Sequence, residues 1–110
     1  MNELEVIFLE EAQEFLVGLP TKVRDKVVNN IRLVIKGHRN IELFKKLEGT
    51  EIWEFRTEYE RKAYRLLSFW DKEERSLVVA THGFIKKKQK TPKKEIEKAE
   101  SLRQQYLKNK

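Results

Sequence analysis

The 110-residue chain has no cysteine, only two prolines and four glycines, and no long apolar run. Without cysteine it forms neither a disulfide framework nor a thiolate zinc site, and its two histidines alone cannot supply a typical structural zinc site. No run of about 18 apolar residues and no basic-then-apolar leader is found. We therefore expect a cytoplasmic protein that stays out of membranes and uses no metal or other cofactor.

Positive charge is what the chain has in excess. Its 24 lysines and arginines against 18 acidic residues give a formal net charge of +6 and a pI of about 9.5. This balance favours polyanionic partners without identifying them. Since 39% of the residues are apolar, the chain can build one core but not two. We predict a single domain over residues 1–110, with frayed last residues.

Apolar periodicity predicts an α+β domain. A short alternating segment around Val6 is typical of a strand, and two segments of helical spacing follow, separated at Gly18 and Pro20 and ended by Gly37. From Phe44 onward the period changes to two and predicts three antiparallel strands. The expected order is strand, helix, helix, three strands, helix. We expect the helical hairpin to pack on one face of the sheet, leaving the other face for chemistry.

The last predicted strand runs directly into a lysine-rich segment and a helix. Thr91 is expected to be the N-cap and Pro92 the first helical residue of a C-terminal helix over 91–110. Cations beside a helix N-terminus cost stability, whereas phosphates bind there readily. The segment therefore predicts a nucleic-acid surface, the alternative being a solvated strand edge. Its lysines are Lys86, Lys87, Lys88, Lys90, Lys93 and Lys94.

Four motifs in this order resemble the RelE/ParE superfamily of bacterial toxins, in its HigB-like branch related to a phage protein. They are Phe44-Lys45-Lys46-Leu47, Ile52-Trp53-Glu54-Phe55-Arg56, Tyr64-Arg65-Leu66-Leu67, and His82-Gly83-Phe84-Ile85-Lys86-Lys87 with Gln89-Lys90-Thr91-Pro92. The resemblance implies a RelE-like small, antiparallel-rich sheet with an N-terminal helical hairpin and a C-terminal helix. It also implies metal-independent cleavage of mRNA on the translating ribosome.

The resemblance further implies partners and site residues. The partners are a cognate antitoxin, commonly a HigA-like protein with a helix-turn-helix domain, ribosome-bound mRNA, and operator DNA that is met only as a toxin–antitoxin complex. Arg65 stands at the family's phosphate-contacting arginine. The other residues expected to be catalytic are Arg56, His82 and Lys86, and those expected to bind RNA are Lys45, Lys46, Phe84 (by stacking), Lys87, Lys88, Lys90, Lys93 and Lys94.

Structural roles compete with these assignments. Arg65 would ordinarily pair with Glu54 or Glu58 across the sheet, and His82 on a mostly apolar strand is more often structural. Glu54 is either a base or an ion-pair partner of the arginines, so the general base stays open. At the level of function, a gyrase-inhibiting toxin of the ParE branch and a non-catalytic co-repressor are the alternatives.

Overall fold

The computed structural model describes residues 4–87 and 89–110. This part of the chain forms five strands and three helices, so the predicted α+β class is confirmed. In chain order they are β1 (Glu5–Phe8), α1 (Glu10–Val17), α2 (Thr21–Ile35), β2 (Phe44–Lys46), β3 (Trp53–Tyr59), β4 (Lys62–Asp71), β5 (Leu77–Lys86) and α3 (Lys93–Lys108). The prediction did not separate β2 from β3, because three residues are too few to show a period of two.

All five strands belong to one sheet with the order β1-β5-β4-β3-β2. β1 pairs in parallel with β5, and every other pair is antiparallel. β4 and β5 are ten residues long and occupy central positions, with a bulge in their pairing between Leu67 and Ser68. The bulge shifts the register of the two strands next to the stretch that contains Arg65 and Lys86.

Helices α1 and α2 pack on one face of the sheet, as predicted. Gly37 follows α2 with φ 109°, a left-handed conformation that glycine adopts without a steric penalty, so the predicted helix stop is confirmed. Gly83 on β5 lets α1 approach closely, because a Cβ there would lie 2.2 Å from Cδ2 of Phe15. The residues that α2 buries are Val23, Val27, Ile31 and Val34.

The other face of the sheet is partly covered by α3, which corrects the expectation that this face is left open. Ala99 is fully buried there, and Ile96 and Tyr106 pack against the same core cluster as Leu67 and Phe69. The covered part lies toward one end of the central strands. The basic part of the face, described below, stays accessible beside the start of α3.

The start of α3 also differs from the prediction by one residue. Pro92 is the N-cap and Lys93 the first helical residue, and no side chain of the described residues caps the helix. The Thr91 hydroxyl, expected to cap α3, instead donates to Glu54 Oε2 at 2.7 Å. A tertiary hydrogen bond to a buried carboxylate has therefore replaced the local one.

The far end of α3 is attached to the sheet through Asp71, whose side chain is 1% exposed. Tyr106 Oη donates to Asp71 Oδ2 at 2.8 Å, and Lys110 Nζ donates to Oδ1 at 2.9 Å. Burial alone would raise the pKa of Asp71, but the bonds from Lys110 and Tyr106 lower it below 3.8. Among the described residues, no helix is both long and apolar enough to cross a bilayer.

Candidate nucleic-acid site

Strand alternation gathers the basic residues of three strands on the part of the second sheet face that α3 leaves uncovered. Lys45 lies opposite Glu54 across β2 and β3, and Arg56 lies opposite Arg65 across β3 and β4. Arg65 is in turn opposite Phe84 on β5. Residues paired across antiparallel strands point to the same face. The structure therefore brings the predicted Lys45, Arg56, Arg65 and Phe84 together.

A pocket of about 380 Å³ opens on this face, between β2, β3 and the segment that joins β5 to α3. Three predicted basic residues of the sheet, Lys45, Arg56 and Lys86, line it, and Lys90 reaches it from the joining segment. The complete lining consists of Lys45, Leu47, Glu48, Glu54, Arg56, Lys86, Gln89, Lys90, Thr91 and Ile96. Its wall is therefore mainly cationic and polar, as an anion-binding pocket requires.

Arg65 does not line this pocket; it contacts the lining residue Glu54 and is only 3% exposed. Its Nη1 donates to Glu58 Oε2 at 3.0 Å and to the Tyr64 carbonyl at 3.1 Å, and its Nε lies 3.5 Å from Glu54 Oε1. Both predicted acidic partners thus contact Arg65. Such pairing keeps the guanidinium group in a fixed orientation on this face.

Arg56 is held in a similar way. Its Nη1 donates to the Ile41 carbonyl at 2.9 Å, and its Nε lies 3.4 Å from Glu54 Oε1. In the described residues, the Nε atoms of Arg56 and Arg65 are both buried and make no hydrogen bond. The nearest anion to both Nε–H groups is Glu54 Oε1, so each is compensated by a long ion-pair contact rather than by a well-formed hydrogen bond.

Lys86 ends β5 beside the two arginines. Burial, followed by the positive charge of Arg65, lowers its pKa below the usual 10.5. A lysine with a lowered pKa gives up its proton more easily than an exposed one. The predicted Lys86 is accordingly suited both to contact an anion and to transfer a proton.

His82 is placed differently from the other predicted catalytic residues. Its side chain is buried and does not line the pocket. Nε2 lies 2.9 Å from Glu95 Oε1 in the first turn of α3, and Nδ1 lies 3.1 Å from Thr81 Oγ1. Burial lowers the pKa of His82 despite the Glu95 contact, so the neutral ring is favoured. In this arrangement His82 connects β5 to α3.

The remaining predicted lysines lie outside the pocket. Lys46, which pairs with Trp53, instead lines a neighbouring groove together with Ile52 and with Arg103 of α3. Lys87, Lys93 and Lys94 are exposed around the start of α3 and do not line the pocket, and Lys88 lies outside the described residues. The first turn of α3 also contains Glu95, which partly compensates the cations there.

Thr91 is a site residue that the sequence did not indicate. Local pattern assigned it to the helix cap, whereas the structure places it in the pocket wall with its hydroxyl on Glu54. No spacing rule connects residues 54 and 91, so the sequence carried no signal for this contact. Among residues 4–87 and 89–110, no group of three or more potential ligands from His, Cys, Asp and Glu could hold a metal ion.

This sheet, with its helical hairpin and single C-terminal helix, defines a RelE-like fold. A solved structure of the Escherichia coli toxin RelE, a mutant with two substitutions in the free state, matches with a TM-score of 0.58 and 19% identity over 74% of this chain and 81% of that chain. The toxin–antitoxin complex RelBE2 from Mycobacterium tuberculosis matches with a TM-score of 0.53 and 24% identity over 76% of this chain and 99% of that chain.

The chain belongs to the phage derived protein Gp49-like family, whose model matches residues 14–104. No curated protein sequence matches it significantly. The family and the fold together confirm the resemblance to the RelE/ParE superfamily that the four motifs indicated.

Proposed function

We propose that this chain is the toxin of a type II toxin–antitoxin pair and that it cleaves mRNA on the ribosome. One observation carries the proposal: the partly exposed Arg56 and the buried Arg65 face each other across the sheet, beside a cationic pocket that Arg56 lines. Such a pair suits the oxygens of an RNA phosphate. The RelE-like fold and the Gp49-like family support the same assignment.

The proposed reaction needs no metal ion. The 2′-oxygen attacks the adjacent phosphorus, the bond from phosphorus to the 5′-oxygen breaks, and the products are a 2′,3′-cyclic phosphate and a 5′-hydroxyl. Arg65 and Arg56 stabilise the charge that develops on the phosphate oxygens. Lys86, with its lowered pKa, donates the proton that the leaving 5′-oxygen takes up.

The 2′-hydroxyl proton must pass to a base, for which the sequence left His82 and Glu54 as candidates. In the present arrangement His82 is enclosed and its Nε2 contacts Glu95. To receive the proton it would have to separate from Glu95, which requires movement at the start of α3. In this proposal Phe84, which is opposite Arg65 on β5, stacks on a base next to the scissile phosphate.

The proposal includes an antitoxin partner, since one of the similar structures is a toxin–antitoxin complex. We infer that the antitoxin of this chain is a HigA-like protein with a helix-turn-helix domain. In this proposal the chain meets operator DNA only as part of the toxin–antitoxin complex, and the pair acts in the cytoplasm.

The test is cleavage of a defined mRNA on programmed ribosomes, with both new ends mapped. Wild-type protein, Arg65→Ala and ribosome-free RNA are compared in parallel. Cuts that require ribosomes and are lost in Arg65→Ala are expected. Intact mRNA in every arm would overturn the proposal, and parallel assays of gyrase supercoiling and operator binding would then separate the ParE-like and co-repressor alternatives.

A further inference from the structure

The candidate site contains a buried carboxylate at its centre. Glu54 is 2% exposed, although it lies on the face that carries the cations. Its Oε1 lies 3.4 Å from Arg56 Nε and 3.5 Å from Arg65 Nε, and its Oε2 accepts a hydrogen bond from Thr91 at 2.7 Å. A single side chain therefore contacts both arginines and the segment that precedes α3.

The two arginines need such an anion. Arg56 and Arg65 are direct cross-strand neighbours on the same face, and like charges in that position repel. Because both side chains are largely removed from water, screening by solvent is weak. Glu54 offsets the repulsion from a position close to both Nε atoms, so both Nε–H groups are held near one point.

Thr91 fixes the Glu54 carboxylate from the other side. The Thr91 hydroxyl and the Glu54 side chain both line the pocket, and their hydrogen bond joins β3 to the segment that carries Lys90. The position of the arginines is therefore coupled to the position of that segment. A change at Thr91 should reach the arginines through Glu54.

We propose that Glu54 is a positioning residue for phosphate recognition at this site and that Thr91 holds it in place; this inference rests on the proposed function. The carboxylate keeps the two guanidinium groups converged before RNA binds. In the complex the phosphate supplies negative charge of its own. Glu54 therefore determines the orientation of the two guanidinium groups rather than the affinity of the protein for RNA.

The experiment compares wild-type protein with Glu54→Gln and Thr91→Val, and with Glu58→Gln as the matched comparator. Glu58 also pairs with Arg65 but is 66% exposed, so its removal should have a much smaller effect. Each protein is assayed for single-turnover cleavage of mRNA on programmed ribosomes. Binding of a short RNA whose attacking 2′-oxygen is methylated, so that the RNA cannot be cleaved, is measured separately by fluorescence anisotropy.

For Glu54→Gln we expect cleavage to slow by about 10- to 100-fold, as misplacement of a catalytic group usually causes, while the methylated RNA binds equally or more tightly. Thr91→Val should slow cleavage less. The double variant should lose less than the product of the two single effects, because Thr91 acts through Glu54. Urea unfolding shows which variants are folded, and Thr91→Val provides the test if Glu54→Gln does not fold.

Three results would overturn the inference while the proposed function stands. The first is cleavage at the wild-type rate by folded Glu54→Gln. The second is a loss of both cleavage and RNA binding that follows the unfolded fraction of the variant. The third is a pH–rate profile of Glu54→Gln without the acidic limb, which would make Glu54 the general base. Wild-type protein that leaves mRNA intact would instead overturn the proposed function, and this inference with it.

Discussion

Replacement of Arg65 by lysine separates the charge of this residue from its geometry. Lysine keeps one positive charge beside Glu54 and Glu58 but offers a single ammonium group in place of the guanidinium fork. The guanidinium fork can donate two hydrogen bonds to a phosphate, whereas a lysine ammonium at this position donates about one. The change therefore isolates the contribution of the second donor.

The expected magnitude follows from that lost bond. A hydrogen bond to a charged group contributes about 1.5–3 kcal/mol, which corresponds to a cleavage rate about 10- to 150-fold lower for Arg65→Lys. Arg65→Ala removes the charge as well and should slow cleavage by about 10²-fold or more. It also removes one of the two cations beside the buried Glu54, at a cost in unfolding free energy of about 3 kcal/mol, more than for lysine.

Single-turnover cleavage on programmed ribosomes measures the change in cleavage rate, and urea unfolding measures the change in unfolding free energy. Rates are compared only between proteins that are folded at the assay temperature. If folded Arg65→Lys cleaves as fast as the wild type, the guanidinium does not contact the reacting phosphate. Arg65 would then be a structural ion-pair residue between β3 and β4, and the assignment of the site would be wrong.

Three further predictions concern other parts of the molecule. Lys86→Ala should slow cleavage by about 10²-fold, and the wild-type rate should fall as pH rises through the lowered pKa of Lys86, because the protonated amine is the acid; a pH–rate profile measures this. Gly83→Ala should lower the unfolding free energy by about 1–3 kcal/mol, since its Cβ would meet the ring of Phe15, as urea unfolding will show. Tyr106→Phe should lower the unfolding free energy by about 1.5–3 kcal/mol, because the hydrogen bond to Asp71 is lost. It should also reduce the stability that Asp71 contributes through its lowered pKa, which is present above pH 3.8 and is lost as pH falls through the pKa of Asp71 in the folded protein.

Each of these variants has a matched control. Lys87→Ala removes a neighbouring exposed lysine outside the pocket and should leave the pH–rate profile unchanged. Phe15→Leu in combination with Gly83→Ala should recover part of the stability that Gly83→Ala loses. If the losses of unfolding free energy from the two single variants simply add, the clash between the two side chains is contradicted. Tyr59→Phe removes a hydroxyl that makes no hydrogen bond within residues 4–87 and 89–110, so a loss equal to that of Tyr106→Phe would contradict the role of the Asp71 contact.

Local pattern in the sequence was sufficient for most of the elements. The helical spacing that ends at Gly37 predicted α2, and the period of two from Trp53 onward predicted β3, because both patterns depend only on neighbours in the chain. The same alternation put Arg56 on the face opposite Trp53 and Phe55, and the charge excess predicted a basic surface. These features depend on geometry within one element, which a sequence displays directly.

Only the tertiary structure decided how those elements meet. The docking of α3 onto the second sheet face encloses His82 against Glu95 and takes the Thr91 hydroxyl from the helix cap to Glu54. The parallel pairing of β1 with β5 likewise joins segments about 70 residues apart. Such contacts depend on which apolar faces bury each other over long chain separations, and no local period records that choice. The sequence alone therefore determined the cations and their strand faces, whereas long-range packing determined which of them converge on one pocket.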